Sequence, residues 1–113
     1  MAPKFAIDIH TDADDILKAV INFSGSGLNG IIPGVSGQII KLYKLFFVAQ
    51  AATVITFQDG ATPLSGPIGF TANGSMTLMF DTKPWFVTSA GNALNLNSTN
   101  AVQVGGTVYY TQG

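Results

Sequence analysis

The 113-residue chain contains no cysteine, no arginine and no glutamate. Without cysteine there is no disulfide framework, no Cys-ligated zinc or iron–sulfur site and no thiol nucleophile. Redox usage therefore says nothing about compartment. Charge is scarce: five Lys and six Asp give 10% charged residues and a net charge of −1, against about 25% charged in an ordinary soluble domain. Nucleic-acid binding is not expected, because phosphate recognition runs on clustered Lys and Arg. Disorder is not expected either, since 47% of residues are hydrophobic and disordered chains pair low hydrophobicity with high charge. A helical bundle would need exposed faces of Glu, Lys, Arg and Ala, which this composition cannot supply.

Long apolar runs are also missing. The longest nearly apolar stretch, Leu45 to Ala52, is interrupted by Gln50 and falls far short of the roughly 20 residues of a membrane-spanning helix. Met1-Ala2-Pro3-Lys4 leads into Phe5-Ala6-Ile7-Asp8, not into an apolar signal core. The expectation is a soluble protein with no membrane partner.

The charges present are unevenly placed. Lys4, Asp8, Asp12, Asp14, Asp15, Lys18 and the single histidine, His10, fall in the first 18 positions. This divides the chain into an N-terminal arm, residues 1–15, and a domain spanning 16–113. The domain reads as strands. Met76, Leu78 and Phe80 share one parity of residues 74–80, Leu94 and Leu96 alternate with Asn95 and Asn97, and Val102, Val104, Val108 and Tyr110 share one parity of residues 102–110. Period-2 alternation marks strands with one buried face. Thr53 to Phe57 is a β-branched run closed by the Asp59-Gly60 turn signal. Further breaks are expected at Gly25-Ser-Gly27, Asn29-Gly30, Pro33-Gly34, Pro63, Gly66-Pro67, Asn73-Gly74, Pro84, Gly91-Asn92 and Gly105-Gly106. Short strands with turn signals every 8–12 residues predict an all-β antiparallel sandwich or jelly roll of about eight strands.

Two segments are irregular. Asp12 to Phe23 fits a capped helix through Ile16, Ala19, Val20 and Phe23; a strand with Leu17, Ala19, Ile21 and Phe23 on one face is preferred. In Ile39 to Val48 the buried parity changes near residues 43–44. A β-bulge, a strand crossing to a partner subunit, or a strand buried on both faces with snorkelling lysines would each account for it.

Candidate chemistry is thin. His10 has no nucleophile-elbow serine to serve. Asp8, His10, Asp12, Asp14 and Asp15 could gather a cation, but the central Gly and distal Glu of an EF-hand loop are missing. Gly25-Ser-Gly27-Leu-Asn-Gly30 matches a GxGxxG spacing. Pro33 breaks the helix that a dinucleotide site needs, and no acidic residue lies between Asp15 and Asp59. No enzyme, metal or cofactor is therefore expected. Trp85 and Phe86, after Pro84, are either core residues or an aromatic contact for protein or carbohydrate.

From Leu17 onward the chain resembles the jelly-roll capsid decoration, or cement, proteins of tailed bacteriophages. The resemblance rests on Gly37-Gln-Ile-Ile-Lys-Leu-Tyr43, on Phe57-Gln-Asp-Gly60 before Pro63-Leu-Ser-Gly66-Pro, on Ala72-Asn-Gly74, on Trp85-Phe86 before Ala90-Gly-Asn-Ala-Leu-Asn-Leu96, and on Val104-Gly-Gly-Thr-Val-Tyr109. It implies a homotrimer on the outer capsid surface of the virion that ties major capsid protein subunits together. The same pattern occurs in receptor- or glycan-binding modules of phage fibres. The expected capsid or subunit contacts are Lys4, Phe5, Ile7, Asp8, His10 and Asp12 in the arm, with Tyr43, Trp85 and Phe86 in the domain.

Overall fold

A computed structural model describes residues 16–113. The described residues form ten strands: β1 (Leu17–Phe23), β2 (Gly27–Ile32), β3 (Ile40–Ala49), β4 (Thr53–Asp59), β5 (Thr62–Pro63), β6 (Ile68–Phe70), β7 (Gly74–Leu78), β8 (Phe86–Val87), β9 (Leu94–Ser98) and β10 (Val104–Gln112). All pairings are antiparallel.

They build two sheets. The front sheet runs β1-β10-β3-β7, with β8 on the same edge of β3 as β7. The back sheet runs β2-β9-β4-β5, with β6 sharing the outer edge of β4. Counting each split edge once leaves eight strand positions. With β5 and β6 taken as one position and β7 and β8 as another, successive positions cross between the sheets except from β4 to β5. This is the jelly-roll order, and it is the expected fold class.

The core lies between the sheets. Ile21, Ile40, Leu42, Leu45, Phe47, Val104 and Val108 of the front sheet meet Ile32, Ile55, Phe57, Leu94 and Leu96 of the back sheet, all at 2% exposure or less. Removing this much apolar surface from water is the main stabilising term, about 1.5–3 kcal/mol for each large side chain. A polar knot sits at either end of β4. At the start, Thr53 Oγ1 and Ser98 Oγ lie 2.7 Å apart, Ser98 donates to the Asn100 carbonyl, and the Asn100 N–H donates to Thr53. At its end, Asp59 accepts from the Ser89 N–H and hydroxyl. The loop carrying Ser89 also touches the front sheet, through Ile40 N–H to Thr88 Oγ1 at 2.9 Å. The two layers are thus tied by hydrogen bonds as well as by packing.

The strand reading of Leu17–Phe23 holds, with Ile21 buried and Lys18 and Asn22 exposed. The parity change in β3 is a β-bulge. Lys44 pairs with Tyr109 and Leu42 with Tyr110, so Tyr43 is the extra residue.

Four local expectations need correction. Pro63 is not a break; it is the second residue of β5 and pairs with Gln58. Asn29-Gly30 is not a break; it lies inside β2, where the register slips between Gly30 and Ile32. Gly105-Gly106 is not a break either, because β10 runs straight through it. A Cβ on Gly106 would lie 1.9 Å from the Phe46 carbonyl oxygen, so this glycine permits close approach of two strands rather than a turn. Phe80 does not continue the inward parity of Met76 and Leu78. The strand ends at Leu78 and Phe80 is 54% exposed.

Candidate interaction surface

The outer face of the front sheet is built by the residues that alternate with the core. On β1 these are Lys18, Val20 and Asn22, and on β10 they include Thr107 and Tyr109. On β3 they include Lys44 and Phe46. Register places them in rows. Val20, Thr107, Phe46 and Thr77 form one row across four strands; Lys18, Tyr109 and Lys44 form the next. Val20 is 69% exposed and Phe46 47%, so two large apolar groups stand in water on this face. Lys44 Nζ lies 5.4 Å from the centre of the Tyr109 ring, a cation–π distance.

A second apolar cluster borders this face, beside the bulge. The ring of Tyr43, the extra residue of the bulge, stacks on Phe80 with centroids 5.7 Å apart. The loop from Met79 to Trp85 is closed at its base. The Trp85 indole N–H donates to the Met79 carbonyl at 2.8 Å, and its backbone N–H donates to the Leu42 carbonyl at 2.7 Å. Met79, Phe80, Trp85 and Val87 are all more than 40% exposed. Scattered exposed apolar residues are ordinary on a soluble protein; a contiguous set is the mark of a contact surface.

The sequence-predicted contacts separate in this frame. Tyr43 and Trp85 fall on the exposed side of the β3–β8 edge. Phe86, one residue on, points the other way and stacks on Phe57 at 4.5 Å, against the core. Lys4, Phe5, Ile7, Asp8, His10 and Asp12 lie outside the described residues, as do Asp14 and Asp15 and the cation reading they support. Val20, Phe46, Met79 and Phe80 escaped the sequence reading. Their signal was an apolar residue on the polar parity: Val20 sits between Lys18 and Asn22, and Phe46 follows Lys44 at a spacing of two.

Charge divides this face from the rest. The described residues hold four lysines and two aspartates. Lys18 and Lys44 stand on the face. Neither aspartate does: Asp59 is buried at 8% exposure on β4, and Asp81 accepts from the Thr82 N–H in the 79–85 loop. Burial acts to raise the pKa of Asp59, but hydrogen bonds from the Ser89 side chain and backbone, with the Asn92 side chain acting likewise, outweigh it and hold the carboxyl below its usual range. Its Oδ1 is buried and finds no partner among the described residues.

Elsewhere, an open depression of about 350 Å³ lies between β4, β6 and Asn100, lined in part by Val54, Phe70 and Thr71. It holds no titratable side chain. Among the described residues, no three His, Cys, Asp or Glu side chains gather as a metal set. What the surface offers is association through apolar and aromatic groups. No protein-family model matches the chain, and no curated protein matches it.

Proposed function

We propose that this chain is a virion structural protein of a tailed bacteriophage: a homotrimeric capsid decoration protein that binds the outer surface of the shell and joins neighbouring major capsid subunits. The observation that carries the reading is the group of exposed apolar side chains on and beside the front sheet of a charge-poor jelly roll. Val20 and Phe46 stand on the face, and Tyr43, Phe80 and Trp85 stand beside it. Buried interfaces between subunits are poor in charge and rich in aromatic residues. A free monomer with this surface would tend to associate. Repetition over a shell lets many modest contacts act together, so no single one has to be tight.

Light scattering and sedimentation of the purified chain test the first half. A mass of three chains supports the reading; a strict monomer at tens of micromolar overturns it. Cosedimentation with undecorated capsids of the phage that encodes it, followed by electron microscopy, tests the second half. Density at three-fold positions is the expected result.

The half-exposed Trp85, with Met79 and Phe80, favours one other reading, a glycan-binding module of a head or tail fibre. Jelly rolls serve lectins as well as capsids. A glycan screen separates the two, since a decoration protein shows no sugar preference.

A further inference from the structure

We infer that the acidic N-terminal segment of one copy, residues 4–15, docks on the outer face of the front sheet of the next copy. This rests on the self-assembly proposed above and identifies the contact that drives it. The face carries Lys18 and Lys44 around Tyr109, the apolar pair Val20 and Phe46, and no acidic side chain among the described residues. Two such faces meeting each other would set like charges together. A symmetric face-to-face contact also closes at two copies, whereas a trimer requires a head-to-tail contact between different surfaces.

The complementary surface is in the same chain. Residues 1–15 hold Asp8, Asp12, Asp14 and Asp15, four of the six acidic residues of the protein, against one lysine. They also alternate: Phe5, Ile7 and Ile9 share one parity, with Lys4, Asp8 and His10 on the other. An extended segment of that pattern lays three apolar side chains along the Val20–Phe46 row, and the acidic stretch that follows, Asp12 to Asp15, supplies carboxylates for Lys18 and Lys44. Length is sufficient. Fifteen extended residues reach about 50 Å, while four strands are only about 15–20 Å across.

The absence of native cysteine makes the test direct. Chains carrying Phe5→Cys, Ile7→Cys or Ile9→Cys are each mixed with a chain carrying Thr107→Cys, the residue between Val20 and Phe46, and mildly oxidised. At least one mixture is expected to give covalent dimers in high yield. Adding Lys18→Glu and Lys44→Glu to the Thr107→Cys chain should lower that yield at least fivefold. A trimer by sedimentation that gives no disulfide in any mixture overturns the inference and leaves self-assembly standing. Chains carrying both cysteines, diluted into excess unmodified protein, overturn it equally if they close only within themselves. A monomer overturns both.

Discussion

Gly106 shows how much one missing methyl can decide. It sits in the middle of β10, paired with Ile21 on one side and Phe47 on the other. A Cβ there would meet the Phe46 carbonyl oxygen at 1.9 Å and the Phe47 Cα at 2.6 Å. Both are backbone atoms of the central strand, so relief requires β3 to move. Gly106→Ala is expected to cost at least about 2 kcal/mol in urea unfolding, the scale of an overpacked core. Gly105→Ala is its control. A Cβ there meets nothing nearer than the Ile21 carbonyl at 4.0 Å, and the change should stay within about 0.5 kcal/mol. Asp59 gives a pH-dependent counterpart. Its carboxyl is held below the usual range by the folded state. The stability it contributes is therefore fully present above its unfolded pKa, near 4 for an aspartate, and drains away as the pH falls through its folded value. Unfolding midpoints should be level from pH 7 to 5 and drop below pH 4. Asp59→Asn should cost about 1–3 kcal/mol at pH 7 and flatten that acid limb; an unchanged limb would assign the acid sensitivity to other groups.

Strand β3 is the element where sequence pattern and structure agree most closely, and it shows why. Ile40 and Leu42 are buried on one parity, Leu45, Phe47 and Ala49 on the other. Two buried parities in one strand demand an extra residue between them, and Tyr43 is that residue. Deleting Tyr43 should therefore leave a regular strand with the same five side chains inward. A folded protein is expected, its melting temperature lowered by a few degrees through loss of the stack on Phe80. Deleting Phe46 instead would turn Phe47 and Ala49 outward, and no cooperative melting transition is expected. Glycine misled the sequence reading twice. Asn29-Gly30 and Gly105-Gly106 read as turns by composition, yet both lie inside strands. A glycine needed for backbone approach and one needed for a turn look alike until the neighbouring strand is known. The fate of Trp85 and Phe86 was likewise undecidable locally. Adjacent residues of an extended segment face opposite ways, so one reached the core and the other the surface.

At the scale of the whole molecule, the scarcity of charge has acquired a location. The core and the number of strand positions were legible because alternation and turn chemistry are local signals that the two sheets merely bring together. The exposed apolar surface was only half legible. Tyr43 and Trp85 stood out as aromatics beside irregular backbone. Val20 and Phe46 looked like ordinary strand residues, and only the register between β1, β10 and β3 sets them in one row. That row permits a separation of folding from assembly. Val20 and Phe46 make no part of the buried core, so Val20→Ser with Phe46→Ser removes apolar surface from solvent contact without opening a cavity. The doubly substituted chain should melt within a few degrees of the parent and show the same far-ultraviolet circular dichroism. If the front sheet is the assembly surface, its sedimentation should shift from three chains to one at tens of micromolar, and its binding to undecorated capsids should fall at least tenfold. Thr77 stands exposed in the same row and is already polar, so Thr77→Ser supplies the matched control. A folded double variant that still sediments as a trimer would move the subunit interface off this face, leaving the cluster of Tyr43, Phe80 and Trp85 as the surface to test next.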